Sequence, residues 1–211
     1  NKEDLKTIVT KSYSTFRDKE VVKISNLGNI KLLELYHGPT LAFKDIAMQF
    51  IGNLYDYYLS KNNDFLNVVV ATSGDTGAAA IDAIKGKNNM NIFVLHPNNK
   101  ISKVQRKLMT TGNEKNVFNI AIDGNFDDCQ NLVKAMFSDL EFSKSIKMTG
   151  VNSINWARII AQAVYYFYTC FKLNSSKPIS FSVPTGNFGD VFAGYLAKKM
   201  GLPIEKLIVA T

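Results

Sequence analysis

The feature that most constrains the fold is the alternation of short apolar runs with segments of helical periodicity, from about residue 65 to the end of the chain. The runs are almost continuously apolar, and short polar connections separate them: FLNVVVAT, NIFVLHP, NVFNIAI, ISFSVPT and KLIVAT. Such runs are typical of strands in parallel sheets that helices cover on both faces. We therefore predict an α/β fold with largely parallel sheets.

Hydrophobic spacing also predicts the remaining elements. Two short strands are expected over 21–25 and 30–36, joined by the turn NLGN. One helix is expected near the start of the chain, with the apolar positions Leu5, Ile8, Val9, Tyr13 and Phe16. Further helices are expected over 44–60, 76–85, 102–109, 126–137, 154–171 and 190–200. In sheets of this class, ligands bind where loops leave the carboxyl ends of the strands. We therefore expect the functional residues in those loops.

Charge and cysteine content narrow the possible functions. Lys and Arg outnumber Asp and Glu by 25 to 18, but the basic residues are scattered, which favours small anionic ligands over nucleic acid. Cys129 and Cys170 lack CxxC spacing and the chain has 2 histidines, so we expect no metal site and a reducing, cytoplasmic compartment. No apolar run is long enough to span a membrane, and no signal peptide is recognised.

Both ends of the sequence suggest that the chain is truncated. It begins at Asn1 without a methionine and closes on the strand-like run KLIVAT, with no helix after it to cover that strand. We therefore expect the chain to be a piece of a longer protein, truncated at both ends.

Two glycine-containing loops are suited to hold an anion. In VVVATSGDTGAAAI, Ser73 and Thr76 add hydroxyls beside Asp75, and the start of a helix offers free N–H groups. In VPTGNFGD, main-chain donors and a helix dipole converge on one point, and the absence of GxGxxG spacing favours a single phosphate over a dinucleotide. A capped helix in the first loop and a structural tight turn in the second remain open as alternatives.

A third loop, GVNSINWARII, carries a cation as well. Arg158 falls in the first turns of a predicted helix, where its guanidinium can hold a phosphate at two points. Asn152, Ser153 and Asn155 crowd the start of that helix. Asn and Ser are also ordinary N-caps, so this loop taken alone has a structural explanation.

Lys44 is placed at the head of a helix behind three apolar residues, Leu41 to Phe43. Partial desolvation of an ammonium group lowers its pKa and makes the neutral amine available as a nucleophile. A surface lysine whose charged end reaches solvent is the alternative. Three loops of the same chain are suited to bind anions. Their presence favours a lysine that condenses with the aldehyde of pyridoxal 5'-phosphate, whose phosphate needs such a loop.

Five motifs occur in an order and spacing that identify a family: HGPTLAFKD, ATSGDTGAAA, AIDGNFDDCQ, NSINWARI and VPTGNFGD. With them the chain resembles, from Leu33 to Thr211, the threonine synthases, which are pyridoxal-phosphate enzymes of fold type II, the tryptophan-synthase-β type. The resemblance implies two open, largely parallel sheets with helices on both faces. It also implies that residues 1–60 and 151–211 belong to the larger, cofactor-binding domain, whose later part is absent, and that 61–150 form the smaller domain.

The resemblance also implies roles for individual residues. Lys44 is expected to be the catalytic lysine that condenses with the cofactor, and Asp75 to lie near the cofactor's phenolic oxygen. The loop around the cofactor phosphate is expected to consist of Gly186, Asn187, Phe188, Gly189 and Asp190. Two sets of residues are expected to bind the substrate. Ser73 and Thr76 are expected to donate hydrogen bonds from their hydroxyls. The residues expected to face the phosphate of the substrate are Asn152, Ser153, Asn155 and Arg158.

The activity that the resemblance implies is the conversion of O-phospho-L-homoserine and water to L-threonine and phosphate. Two alternatives stay open at this point. One is a phospholyase of the same fold that releases 2-oxobutyrate. The other is a non-catalytic protein that binds a phosphate ligand, which the presence of Lys44 disfavours because binding alone needs no nucleophilic amine.

Overall fold

A computed structural model describes residues 1–152 and 155–211 of the chain. Its helices are α1 (Lys2–Tyr13), α2 (Lys44–Asn62), α3 (Asp75–Ile84), α4 (Lys103–Thr110), α5 (Phe126–Ser138), α6 (Leu140–Ser145), α7 (Trp156–Leu173) and α8 (Gly189–Lys199). Its strands are β1 (Lys23–Leu27), β2 (Ile30–Glu34), β3 (Leu66–Ala71), β4 (Met90–Pro97), β5 (Val117–Ile122), β6 (Met148–Gly150), β7 (Ile179–Pro184) and β8 (Ile204–Ala210).

The strands form one four-stranded sheet and two pairs. The sheet has the order β5-β4-β3-β6, and all of its neighbouring strands are parallel. Strands β7 and β8 form a second parallel pair, whereas β1 and β2 form an antiparallel hairpin. Because β3 and β6 are adjacent and parallel, the loops that follow them leave the same edge of the sheet. The α/β class with parallel sheets is confirmed.

Apolar side chains cover the four-stranded sheet on both faces. On one face, Val68 and Val70 pack with Ile92 and Val94 against helices α2 and α3. On the other face, Val69 and its neighbours pack against α5. This is why the strands read as continuous apolar runs and not as alternating ones. A second core joins α7 and α8 to the β7–β8 pair.

Helix α2 connects the two cores. Its first turn contributes Ile46 to the core around α7, and its later turns contribute Met48, Ile51 and Leu59 to the core of the four-stranded sheet. The start of α2, where Lys44 lies, is therefore held where the two cores meet. The division into domains at residues 60 and 150 stays a prediction.

The predicted elements agree with the structure except for short ones and element ends. Helix α6 and the three-residue strand β6 were not predicted, since neither is long enough to show a period. Helix α1 ends at Tyr13, before Phe16, which was included in the predicted helix. The helix predicted over 154–171 corresponds to α7, and its predicted start at residue 154 lies outside the described residues. None of the helices described in 1–152 and 155–211 is long and apolar enough to cross a membrane.

Candidate active site

The turn before α2 fixes the position of Lys44. The backbone N–H and the hydroxyl of Thr40 donate to the two carboxylate oxygens of Asp45, at 2.8 and 2.7 Å, and Asp45 is fully buried. A Cβ at Gly38 would overlap the side chain of Asp45, which explains the glycine in HGPT. Leu41 has a φ of 61°, so the chain enters the helix through a left-handed residue. These contacts hold Lys44 at the first position of α2.

The ammonium group of Lys44 lies in a largely desolvated site. Its side chain is 13% exposed, and Nζ lies 3.5 Å from a carboxylate oxygen of Asp75 and 4.4 Å from the centroid of the Phe43 ring. Burial lowers the pKa of Lys44, and the positive charge of Arg158 lowers it as well, whereas Asp75 raises it. Because the effect of burial is the largest, the neutral amine is more accessible here than on a surface lysine.

Asp75 is held by its own loop and by a second helix. The hydroxyl oxygen of Thr72 accepts hydrogen bonds from the N–H groups of Gly74 and Gly77, both at 2.9 Å, so this hydroxyl has a structural role. Gly74 has a φ of 142°, which side-chain-bearing residues rarely adopt. The side-chain amide of Gln105, from α4, donates to Asp75. Ser73 is exposed and Thr76 half-buried at the start of α3.

The loop between β7 and α8 is closed by a buried carboxylate. Asp190 is 6% exposed, and its Oδ1 accepts from the hydroxyl of Thr185 and, at 2.8 Å, from the N–H of Val191. The hydroxyl oxygen of Thr185 in turn accepts from the N–H of Phe188 at 3.0 Å, and Phe188 has a φ of 60°.

The outer part of this loop is open. The N–H of Gly189 donates to Asn187 Oδ1 at 3.2 Å, which bends the chain into the first turn of α8. A Cβ at Gly186 would meet no atom within 4 Å. The loop therefore has space beside its backbone, as a cradle for a phosphate requires, and Asp190 stabilises it from the inside.

Arg158 is brought to the same region by α7. Asn155 caps this helix: its Oδ1 accepts from the N–H of Arg158 at 3.3 Å, and its side-chain amide donates to the carbonyl of Gly150 at 2.9 Å. Arg158 is 2% exposed, and its Nη1 donates to the carbonyl of Val151 at 3.1 Å. Burial lowers the pKa of Arg158 to about 10, whereas Asp190 raises it.

Asn152 is half-buried near the start of the loop between β6 and α7, and Ser153 lies outside the described residues. The side chain of Asn155 caps α7. This is the structural role that the sequence had left open as an alternative to binding a ligand. Arg158 differs from the solvated arginine that is usual in a first helical turn, because its guanidinium is inside the protein. Arg158 is a buried cation, and no carboxylate among the described residues is bonded to it. Such a group is suited to bind an anion.

Asp75 and Asp190 line one crevice, and Lys44 lies beside it, next to Asp75. Asp75, Arg158 and Asp190 all influence the pKa of Lys44, so each of these charged groups lies within electrostatic reach of its Nζ. A cavity of about 940 Å³ adjoins them, and Thr40, Phe43, Asp75, Tyr165 and Asp190 are among the residues that line it. Residues 1–152 and 155–211 contain no group of His, Cys, Asp and Glu side chains arranged to hold a metal ion.

Sequence reasoning missed two residues of this crevice. Gln105 reaches Asp75 from a helix 30 residues further along the chain, and no local pattern indicates that contact. Thr185 was assigned only to the loop backbone, yet its hydroxyl joins the Asp190 carboxylate to the N–H of Phe188. The available signals were a hydroxyl directly before the Gly186–Asn187 pair and a carboxylate four residues after Gly186.

Removing the negative charge of Asp75 is expected to move the titration of Lys44 to lower pH. The carboxylate stabilises the protonated ammonium and so raises the pKa of Lys44 against the effect of burial. In Asp75→Asn the neutral amine should therefore form at a lower pH. The rate at which pyridoxal phosphate attaches to Lys44 should then begin to rise at a lower pH than in the parent, so the acidic limb of its pH profile shifts downward. Asp127→Asn, which changes an exposed carboxylate of α5, is the control and should leave that limb in place. A shift to higher pH would contradict this account.

A buried amine with a lowered pKa is suited to react with an aldehyde, and the open glycine loop is suited to hold a phosphate, so these residues fit pyridoxal phosphate. Residues 19–211 match the pyridoxal-phosphate dependent enzyme family. A threonine synthase of Pseudomonas aeruginosa is 53% identical over 210 residues, which are 99% of this chain and 45% of that protein. The threonine synthase of Saccharomyces cerevisiae is 50% identical over 99% of this chain and 44% of that protein.

Solved structures give the same relationship. A crystal structure of PLP-bound threonine synthase from Brucella melitensis has a TM-score of 0.90 and 53% identity, over 99% of this chain and 46% of that one. Threonine synthase from Escherichia coli has a TM-score of 0.84 and 36% identity, over 100% and 54%. The chain thus spans less than half the length of the curated relatives it matches. Together with the desolvated lysine and the glycine loop, the match shows that this chain belongs to the pyridoxal-phosphate dependent enzyme family.

Proposed function

We propose that the protein containing this chain is a threonine synthase, which converts O-phospho-L-homoserine and water to L-threonine and phosphate. The observation that carries the proposal is the crevice in which the desolvated amine of Lys44 faces Asp75 within the field of the buried Arg158. The relatives that are threonine synthases at about half identity over 99% of the chain support it.

The cofactor's place in the crevice follows from the groups that surround it. Pyridoxal phosphate, when bound, supplies the aldehyde that Lys44 attacks and a ring that takes up the negative charge of the reacting carbon. Its phosphate would be held by the loop of Gly186, Asn187, Phe188, Gly189 and Asp190. Asp75 would lie near its phenolic oxygen. Lys44 and Asp75 approach each other because their helices, α2 and α3, pack side by side.

The substrate is proposed to lie between the loops that follow β3 and β6. Ser73 and Thr76 would donate hydroxyl hydrogen bonds to it, and Asn152, Ser153 and Asn155 would face its phosphate. The strongest group is Arg158, because a buried guanidinium binds a dianion with little competition from water. Phosphate binding would also relieve the cost of keeping that cation inside the protein.

Lys44 is proposed to act a second time, as a base. With the cofactor and substrate bound, Nζ would be placed to take the proton from the α carbon, and burial, which lowers its pKa, makes the neutral amine more accessible than on a surface lysine. Asp75 would hold the resulting ammonium in place at about hydrogen-bonding range. Arg158 would hold the phosphate of the substrate before and during its departure.

The remaining proposals concern the domains, the cellular location and the partner molecules of the protein. We propose a division into 1–60 with 151–211, and 61–150; the separate core of α7, α8, β7 and β8 supports it, whereas Met48, Ile51 and Leu59 of α2 pack in the core of the four-stranded sheet. A cytoplasmic location is supported by the two buried cysteines, Cys129 and Cys170, both of which are free thiols. O-phospho-L-homoserine is the proposed partner molecule, and neither nucleic acid nor a membrane is required for the reaction.

Product analysis with the full-length protein tests the proposal. O-phospho-L-homoserine is supplied with and without added pyridoxal phosphate, and inorganic phosphate, threonine and 2-oxobutyrate are measured. Equal amounts of phosphate and threonine are expected, with release dependent on the cofactor. Phosphate accompanied by 2-oxobutyrate would instead indicate the phospholyase, and no phosphate release would leave only a binding function.

A further inference from the structure

Helix α7 buries a row of polar side chains, of which the proposed reaction uses only Arg158. Arg158, Gln162 and Tyr165 are 2%, 1% and 3% exposed. Their spacing of four and three residues places them on one face of the helix, one above the other. Residues at such positions in a buried helix are usually apolar, so three polar side chains in succession need an explanation.

Each of the three carries a buried polar atom with no hydrogen-bond partner among the described residues. These atoms are Nε of Arg158, Oε1 of Gln162 and the hydroxyl of Tyr165. Unpartnered buried polar atoms are rare because each has lost its water without gaining another bond. Among them the central one, Oε1 of Gln162, is an acceptor with two lone pairs, and its neighbours on either side can both donate.

The row of three side chains reaches the crevice at one end, at Tyr165. Tyr165 lines the same cavity as Asp75 and Asp190. Asp190 raises the pKa of Arg158 and contributes to the raised pKa of Tyr165, so its carboxylate is near both. Gln162 lies between Tyr165 and Arg158 on this face of α7, one turn after the cation that is proposed to bind the substrate phosphate.

We propose that Gln162 is a positioning residue for Arg158. In the ligand-bound protein its Oε1 accepts from Nε of Arg158, one turn before it, and from the hydroxyl of Tyr165, one turn after it. Rotation of side chains suffices, since the three residues already share a face. The inference rests on the proposed function, because it takes phosphate as the ligand of Arg158.

The consequence is a guanidinium fixed at two of its corners. Nη1 already donates to the carbonyl of Val151 at 3.1 Å, and Gln162 would fix Nε. The plane of the guanidinium is then set, and Nη2 is directed at the ligand. An arginine that is held in this way loses less side-chain entropy when it binds phosphate than one that is free to rotate.

The test measures phosphate affinity and turnover in the full-length holoenzyme. Gln162→Met keeps the length of the side chain but removes the acceptor. We expect KM for O-phospho-L-homoserine and the inhibition constant of inorganic phosphate to rise together by about tenfold, with kcat changed less than about twofold. Covalent attachment of pyridoxal phosphate to Lys44, fixed with borohydride and measured by mass, should be unchanged. A loss of packing alone would not produce this combination.

A double-mutant cycle separates positioning from packing. In an Arg158→Lys background there is no Nε–H for Gln162 to accept, so Gln162→Met should add no more than about a twofold change in phosphate affinity. If Gln162→Met does not fold, Gln162→Asn decides, since it keeps a buried amide that is too short to reach Nε and should give the same tenfold rise. Equal effects in both backgrounds, or affinity within twofold of the parent, would overturn the inference.

The same experiment distinguishes the two proposals. If Arg158→Lys loses phosphate affinity and the Gln162 variants do not, the positioning role is wrong and the proposed function stands. If Arg158→Lys binds phosphate as the parent does, the substrate site itself is wrong, and the role of Gln162 falls with it.

Discussion

Replacing Lys44 with methionine is expected to abolish covalent attachment of pyridoxal phosphate and to lower the rate of threonine formation by a factor of roughly 10³. The variant keeps an unbranched apolar side chain of similar length, so packing beside Phe43 is retained while the amine is lost. Both proposed roles of Lys44, as nucleophile and as base, depend on that nitrogen. Attachment is measured by borohydride reduction followed by mass analysis of the peptide that contains residue 44.

The chain offers a closely matched control in Lys87. Its side chain is also 13% exposed, its Nζ also lies 3.5 Å from a carboxylate oxygen, that of Asp56, and burial also lowers its pKa. Lys87 differs in its surroundings, since it donates to Asn53 and follows the end of α3, whereas Lys44 pairs with Asp75 at the start of that helix. Lys87→Met should therefore keep the covalent adduct at residue 44. An adduct that disappears in Lys87→Met and persists in Lys44→Met would contradict the assignment.

The second large effect is expected from Gly74→Ala. Alanine at a φ of 142° is strained by about 1–3 kcal/mol, which should appear as a lower free energy of unfolding in urea. The new Cβ would also overlap the side-chain amide of Gln105, which can move only by giving up its bond to Asp75. Asp75 would then lose its position beside Lys44. A misplacement of about 1 Å at a catalytic group typically costs about 10²-fold in rate.

Gly86→Ala separates strain from misplacement. Gly86 also has a positive φ, 71°, but a Cβ there would meet no atom within 4 Å. Both variants should lose stability, and only Gly74→Ala should lose about 10²-fold in turnover when the two are compared below their unfolding transitions. Equal turnover in the two variants would show that Gln105 and Asp75 do not hold the crevice in the way we describe.

The loops that form the crevice were identifiable in the sequence because each combines two local signals. An apolar strand runs into a glycine- or asparagine-containing turn, and a helix follows at once, as in Ala71 to Asp75 and in Pro184 to Gly189. Local sequence also predicted the desolvation of Lys44, since the three residues before it are apolar. The structure agrees, because burial is the main cause of its lowered pKa.

The parts that sequence reasoning missed depend on contacts between distant residues. Gln105 is brought to Asp75 by the packing of α4 beside α3. The burial of Arg158 likewise could not be read from NSINWARI, where an arginine in a first helical turn is usually solvated. Short elements such as β6 gain their structure by pairing with a neighbour, in this case β3, and not from a period of their own.

The sequence by itself determined the class of fold, the order of its longer elements and the three loops that can hold anions, because strand and helix periods and turn residues are properties of neighbouring positions. Only the tertiary structure decided which of those loops face one another and which polar groups inside the crevice lack a partner. The physical reason is that burial and electrostatic reach are set by how elements pack. The row of Arg158, Gln162 and Tyr165 illustrates this, since its spacing is visible in the sequence but its removal from water is not.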